Sequence, residues 1–339
     1  MTRLGDGSLV RMTPSAIRAD LEEATELGAK KAKTAPLTAD ELDRLHEIFA
    51  SNARFTAVDI GDELILSYDG TGNMDSGTRL DELYSYQSHR GADLVELYHI
   101  DYSYKAIKTI LSFETQAMKT VQLNLVAPAQ YGAMPDLGRY SQPDGPVANW
   151  SELMPLGRID DARAAQEEAM EHAVRDMVFV AEGMIEAGAD GLDFDTAGAA
   201  GDADFLATLR AVSQIRSKHP DVGIELGMAS EFVLGMHGQL EFNGARLAGM
   251  WPHDQVKVAA EAGVTMFGPA VNVNTTRTVA WNVARSLTIV KRCVAEAEIP
   301  VHMNVGMGVG GVPMTPFPPA DAVSRVATAC REVGRLDGL

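Results

Sequence analysis

Cysteine is scarce in this sequence, since only Cys293 and Cys330 occur among 339 residues. No Cys-x-x-Cys pair and no Cys/His group with metal-ligand spacing is present, so the sequence predicts neither a disulfide framework nor a zinc site. Such cysteine usage is typical of a reducing compartment, and we expect a cytoplasmic location. Long apolar runs are also missing: no stretch approaches the ~18 apolar residues of a membrane span, and we expect no signal peptide in MTRLGDGSLVRM.

Positive charge is in short supply. The 29 Lys and Arg residues face 47 Asp and Glu residues, which gives a formal net charge of −18. This charge repels nucleic-acid phosphates and anionic membranes, so neither is expected as a partner, whereas a cationic small molecule would be attracted. With 46% hydrophobic and 22% charged residues, the composition is that of a globular protein and excludes disorder.

An alternation of short apolar runs and longer helical stretches is present after about residue 88. The apolar runs that predict strands are 92–101, 120–128, 190–196, 222–229, 264–271 and 300–308. Between the third and fourth runs, Phe205, Leu206, Leu209, Val212 and Ile215 share one helical face, and Pro220 ends the helix. Gly91, Gly188 and Gly263 precede strands, where we expect them to close helices in the left-handed conformation.

Strict alternation of strand and helix predicts an α/β fold with a parallel sheet. No dinucleotide fingerprint follows the first strand, which favours a (β/α)8 TIM barrel over residues 89–339. Only six βα units are present, so we expect this barrel to be incomplete at the C-terminus. Residues 1–88 are expected to form an N-terminal cap, with helices near 14–27 and 38–50. An open six-stranded sheet is the alternative. Residues 337–339 (DGL) repeat residues 190–192 (DGL) at the start of the third strand, so a seventh strand is expected to begin there.

Polar residues stand two apart inside several of these strands, as in Gln122/Asn124, Asp193/Asp195 and His302/Asn304, with Glu225 alone on the fourth strand. Because strand side chains alternate between two faces and the helix-facing layer is apolar, we expect these residues to face the lumen and the barrel mouth. For the two aspartates, a structural ion-pair network is the alternative, and for His302 a hydrogen-bonded core histidine.

Two loops have unusual compositions that bear on function. The segment 306–311 contains the pattern GxGxxG, but Pro313, Pro316, Pro318 and Pro319 prevent the helix that a dinucleotide site requires. We therefore expect a flexible glycine loop at the barrel mouth. The connection 226–255 is rich in Met and Gly, and it is interpreted either as a functional surface or as a packed lid in which His237 and His253 are turn residues.

Several long segments together resemble the dimethylamine:corrinoid methyltransferases, the pyrrolysine-containing enzymes of methylamine metabolism. The segments are HIDYSYKAIK (99–108), QAMK (116–119), YGAMPDLGRY (131–140), GLDFDTAGAAGDAD (191–204), LGMASEFVLGMHGQL (226–240), LAGMWPH (247–253), GPAVNVNTT (268–276) and GMGVGGVPM (306–314). The resemblance covers nearly the whole chain, and it implies a TIM barrel.

This resemblance implies a reaction in which the imine carbon of pyrrolysine captures the amine and presents one methyl group to the Co(I) of a separate corrinoid protein. In the family, pyrrolysine is encoded by an in-frame UAG after a segment similar to 336–339, so this chain is expected to correspond to the part before that codon. It also implies a cognate corrinoid protein as partner, no cofactor bound directly, and a homo-oligomer for the full-length form. The pathway implied is either methanogenesis or bacterial methyl metabolism, and the sequence leaves these two alternatives open.

For this chemistry we expect Asp193, Asp195 and Glu225 to attract methylammonium and to supply a proton to the departing amine. The substrate-binding candidates are Asn124, Tyr131, Asn272, Asn274, His302 and Asn304. No metal is expected, because amides are weak ligands. Two alternatives stay open: a divalent-metal TIM-barrel lyase or hydrolase that uses the carboxylates and His302, and a non-catalytic subunit that binds the corrinoid protein.

Overall fold

The computed structural model describes residues 1–56, 94–96, 108–112, 137–189, 191–306, 308–315 and 318–339, with the backbone alone for 94–96 and 108–112. Two compact units can be distinguished. The first unit comprises Met1–Leu64, Trp251–Val256 and Gly268–Leu339, and the second unit comprises Ile65–Met250 and Lys257–Phe267.

The described residues form eight α-helices and nine short strands. The helices are α1 (Pro14–Ala32), α2 (Ala39–Ala50), α3 (Trp150–Leu153), α4 (Ile159–Glu186), α5 (Asp202–Lys218), α6 (Pro252–Ala262), α7 (Val279–Glu296) and α8 (Ala320–Ala329). The strands are β1 (Thr2–Arg3), β2 (Leu9–Val10), β3 (Leu94–Glu96), β4 (Lys108–Ser112), β5 (Gly191–Ala197), β6 (Gly223–Met228), β7 (Glu241–Phe242), β8 (Ala245–Arg246) and β9 (Met266–Gly268). The chain is therefore a mixed α/β protein, and none of its described helices has both the length and the apolar character to cross a membrane.

In the first unit, the two N-terminal helices pack against helices from the C-terminal third of the chain. Helix α1 lies along α7, and the hydroxyls of Thr25 and Thr288 are hydrogen-bonded at 2.8 Å in this contact. Helix α2 begins with a capping box, in which the Thr38 N–H donates to the Glu41 carboxylate at 2.8 Å and the Thr38 hydroxyl accepts from the Glu41 N–H. Both predicted N-terminal helices are confirmed, and the first extends about one turn further than expected.

The second unit contains a five-stranded sheet in the order β3-β4-β5-β6-β9. Strands β5 and β6 are parallel, as the sequence predicts, with Leu192 opposite Ile224. Strand β4 is antiparallel to both β3 and β5. The prediction of a strictly parallel sheet is therefore wrong at β4, which lies where a helix was expected. Its sequence KTILS contains a β-branched and apolar run that suits a pleated strand better than a helix.

The remaining strand predictions have mixed outcomes. The run 120–128 lies outside the described residues, and strand β9 is shorter than the predicted 264–271. In place of a strand over 300–308, His302 forms an isolated parallel bridge with Gly338, and the Asp337 N–H donates to the Val301 oxygen at 2.9 Å. Residues 337–338 thus pair alongside the sixth predicted strand, where the sequence predicts the start of a seventh.

Helix α5 and the helix-to-strand junctions follow the sequence closely. The five apolar residues of its predicted face are all buried, and the helix ends before Pro220. Gly188 and Gly263 have φ values of 94° and 104°, which confirms the left-handed closure expected at two of the three junctions. Gly91 lies outside the described residues. These closures position β5 and β9 for entry into the sheet.

Candidate functional site

Two buried carboxylates lie side by side on the parallel strands of the second unit. Asp193 on β5 is the register partner of Glu225 on β6, and each is only 3% exposed. Neighbouring strands are about 4.8 Å apart, so register partners on one face hold their side chains close together. The backbone of Lys108 on β4 is in register with Asp193 on its other side. This level of the sheet therefore places two buried acidic side chains on neighbouring strands.

Asp195 lies two residues further toward the carboxyl end of β5 and is half-buried. Its Oδ1 atom accepts a hydrogen bond from the N–H of Thr196 at 2.7 Å. Thr196 has φ of 55°, in the left-handed region that β-branched residues rarely adopt. The third predicted carboxylate thus follows the buried pair at the strand end, where solvent reaches it.

A β-bulge interrupts the pairing at Asp195. Phe194 is opposite Leu226, but the next pair is Ala197 and Met228, so three steps on β5 match two on β6. Pairing is regular through Phe194 and the register shifts only beyond it, so the prediction that Asp193 and Asp195 share one face stays a prediction. The sequence did not predict the bulge, because no local pattern indicates that Thr196 adopts a φ of 55°. The glycine-rich end of GLDFDTAGAAG indicates irregular backbone in general.

The long connection after β6 is held against the start of α5. Asp202, the first residue of α5, is fully buried, and its two carboxylate oxygens accept the N–H groups of His237 at 2.9 Å and Gly238 at 2.7 Å. The Asp202 N–H in turn donates to the Leu234 oxygen at 2.8 Å. The closing end of the loop is fixed by two backbone hydrogen bonds between Val233 and residues 249 and 250.

His237 contributes a side-chain anchor to the same loop. Its Nδ1 accepts the N–H of Gln239 at 3.4 Å, and its Nε2 lies 2.9 Å from Glu167 on α4, so Nε2 carries the proton and donates to the carboxylate. The Arg163 guanidinium donates to the backbone oxygen of His237 at 3.1 Å. His237 is 5% exposed, and this arrangement favours the packed-lid interpretation of the loop.

The site residues predicted near the last strands lie in the first unit. Asn272, Asn274 and Asn304 are exposed, and His302 is half-buried. The Asn274 side-chain oxygen accepts hydrogen bonds from both the N–H and the hydroxyl of Thr276, so part of this amide is used in a local turn. Asn124 and Tyr131 lie outside the described residues. The roles assigned to all six stay predictions.

The glycine loop forms turns that need its glycines. Gly308, Gly310 and Gly311 have φ values of 87°, 69° and 102°, and the next helix, α8, begins only at Ala320. A dinucleotide-binding turn opens directly into a helix, so this segment lacks that geometry. Within the described part of the chain, no group of three or more His, Cys, Asp or Glu side chains is arranged to hold a metal ion.

Comparison with known protein families gives a match that extends over every residue of the chain. The model of the family described as dimethylamine methyltransferase matches residues 1–339. The match includes the acidic strand ends of β5 and β6, the anchored loop and the glycine loop. It also covers both structural units. On this evidence the chain belongs to the dimethylamine methyltransferase family.

Proposed function

We propose that this protein transfers a methyl group from dimethylamine to the Co(I) of a corrinoid that a partner protein carries. The family match supports the substrate and the reaction class. The observation that carries the site assignment is the group of acidic residues on the parallel strands: Asp193 and Glu225 are buried in register, and half-buried Asp195 follows toward the carboxyl end of β5. The consecutive neighbours β5, β6 and β9 support a (β/α)8 barrel as the architecture in this proposal.

The reaction has a simple balance of electrons and protons. The Co(I) electron pair forms the new cobalt–carbon bond, and cobalt is formally oxidised to Co(III). The methyl carbon leaves nitrogen without its bonding pair, so that pair stays on nitrogen. The departing monomethylamine must therefore receive a proton or leave from the ammonium form, and a protein acid near the nitrogen lowers the barrier.

The carboxylates fit these needs in two ways. Asp193 and Glu225 place negative charge in a low-dielectric environment, where it attracts an alkylammonium ion more strongly than it would in water. Asp195 lies closer to solvent, so it can exchange protons with water and with the amine nitrogen. Pyrrolysine, which the resemblance to the family implies, would supply an electrophilic imine to hold the amine. The carboxylates suit this step, because an alkylammonium ion must lose a proton before its nitrogen can add to the imine carbon, and a carboxylate can accept that proton.

Methyl transfer by the protein expressed from its native gene tests this proposal. The purified protein is mixed with dimethylamine and a Co(I) corrinoid protein, and cobalt absorbance and monomethylamine are followed together. We expect one methyl–cobalt and one monomethylamine per turnover, with monomethylamine and trimethylamine as poorer donors. A reaction without the methyltransferase is the control. If dimethylamine gives no methyl–cobalt above that control, the proposed function is wrong.

A further inference from the structure

Gly227 lies inside strand β6, where a glycine needs an explanation. Glycine in a strand interior is destabilising relative to alanine, because it loses more backbone freedom on folding. Its backbone is not in the left-handed region, since Gly227 is absent from the positive-φ residues of the chain. The glycine is therefore not explained by a need for left-handed backbone, and we look for the explanation in the space around its Cα.

That space is occupied by Asp195. A Cβ atom built on Gly227 would lie 3.1 Å from the Asp195 Oδ1 atom, and the next nearest atoms, at 3.8 and 3.9 Å, also belong to Asp195. A contact of 3.1 Å is shorter than ordinary van der Waals separation, so one of the two groups would have to move. Contacts at 3.8 and 3.9 Å are ordinary ones. Any steric conflict at residue 227 is thus with one carboxylate.

The β-bulge and the left-handed Thr196 act on the same carboxylate from the other strand. The bulge places Asp195 and Thr196 opposite Gly227 alone. The φ of 55° at Thr196 directs its N–H to the Asp195 Oδ1 atom at 2.7 Å. Bulges redirect side chains next to active sites, and strained backbone persists where the surrounding structure enforces it.

We infer that Gly227 is a positioning residue. Because it has no side chain, it leaves space for the Asp195 carboxylate, and together with the bulge at Asp195–Thr196 it holds that carboxylate where it can reach the amine nitrogen. This inference rests on the proposed function for its catalytic consequence, but its steric part stands on the geometry alone. Because the acid must reach the amine nitrogen, a displacement of the carboxylate reduces turnover even when the protein folds normally.

A double-mutant cycle tests this inference. Gly227→Ala, Asp195→Ala and the double variant are compared with the parent protein. We expect Gly227→Ala to lower kcat/KM about 10-fold, since a misplacement of 1 Å can cost about 100-fold. In the Asp195→Ala background the same change should alter kcat/KM less than about 2-fold, because the group it displaces is gone. Equal losses in both backgrounds would overturn the positioning role.

Thermal unfolding of the same four proteins tests the steric contact without any activity. Gly227→Ala should lower the melting temperature of the parent but not that of Asp195→Ala, where only ordinary contacts surround the new Cβ. Even if the single variant fails to fold, the double variant should fold. Equal melting shifts in the two backgrounds would overturn the inference, whereas a parent protein inactive with dimethylamine would overturn only the proposed function. Gly183→Ala on α4, where a Cβ meets nothing within 4 Å, is the matched control: it should leave kcat/KM unchanged and should not lower the melting temperature.

Discussion

The carboxylates of β5 and β6 differ in what their surroundings allow. Asp193 and Glu225 are almost fully buried in register with one another, and burying charge is costly unless it is compensated. Asp195 is half-buried and accepts a backbone N–H. A fixed anionic pair beneath a more accessible acid is an arrangement suited to binding a cation and moving a proton. The proposed division of roles rests on depth in the sheet, since all three residues are carboxylic acids.

Burial also determines the reactivity of the thiols. Cys293 and Cys330 are fully buried in the first unit, and burial raises the pKa of the Cys330 thiol to about 12. Because the thiolate is the reactive form, iodoacetamide at pH 8 should leave both residues unmodified in the native protein. Mass spectrometry should show two additions after unfolding in denaturant. Rapid labelling of the native protein would contradict the burial of these residues.

Glu41 gives a pH prediction. Burial alone would raise the pKa of its carboxyl, but hydrogen bonds from Lys291 and Thr38 outweigh burial, and the pKa is lowered from 4.5. A lowered folded-state pKa contributes stability above the unfolded-state value, and this contribution is lost as the pH falls through the folded-state value. Glu41→Gln should therefore destabilise the protein by about 1 kcal/mol at pH 7 and by less at pH 3. Chemical denaturation measures both.

The control for this prediction is Glu47→Gln on the same helix, where the carboxylate is 66% exposed in its ion pair with Arg44. Its effect at pH 7 should be smaller, because exposed ion pairs contribute little. If Glu41→Gln changes the free energy of unfolding equally at pH 7 and pH 3, the lowered pKa of Glu41 in the folded protein is contradicted.

At the scale of elements, the loop of residues 229–250 is fixed by the N-terminus of α5. Asp202→Ala removes the acceptor for the N–H groups of His237 and Gly238. Hydrogen bonds to charged groups contribute about 1.5–3 kcal/mol, so amide hydrogen exchange over residues 233–250 should become at least about 10-fold faster. Hydrogen-exchange mass spectrometry measures this.

A matched control for the loop is Glu186→Ala, an exposed carboxylate at the opposite end of α4. It should leave exchange in the loop unchanged. If Asp202→Ala also leaves exchange unchanged, the loop is held by other contacts and the anchoring role of Asp202 is wrong.

The elements show which features local sequence can predict. Helix α5 and the capping box at Thr38 depend on periodicity and on hydrogen bonds within four residues, and both are confirmed. Likewise, glycine at the end of a helix predicts a left-handed backbone, and Gly188 and Gly263 both adopt it. Strand β4 and the bulge at Asp195 depend on pairing with strands that are distant in sequence, and no local pattern specifies that pairing. The sequence predicted which acidic residues belong to the candidate site. Their geometry and the role of Gly227 could be described only from the register of the sheet.

At the scale of the molecule, the N-terminal helices belong to the same unit as α7 and α8. Every residue from Val279 to Val290 is buried, and α1 packs along this helix. Ion pairs between the two segments add to the contact, including Arg3–Asp321 at 2.9 Å and Arg277–Glu23 at 2.8 Å. Apolar packing dominates here, since exposed pairs contribute at most about 1 kcal/mol each.

This packing predicts the outcome of a truncation. Deletion of residues 1–50 removes α1 and α2 and exposes one side of α7, so the remaining chain should aggregate or lose cooperative unfolding. Size-exclusion chromatography and a melting curve measure this. A monodisperse, cooperatively melting truncated protein would show instead that the N-terminal region is a separable cap.

The most direct measurement for the whole account is methyl transfer by Asp195→Asn. Asn is nearly isosteric and can still accept the N–H of Thr196, but it lacks the charge and the proton. Removal of one transition-state electrostatic partner commonly costs about 100- to 1000-fold in rate. We predict a loss of that size from dimethylamine to a Co(I) corrinoid protein, with an unchanged melting curve. Asp221→Asn, an exposed aspartate just before β6, should keep the parent rate. Transfer by Asp195→Asn at close to the parent rate would contradict the assignment of this acidic strand end as the active site.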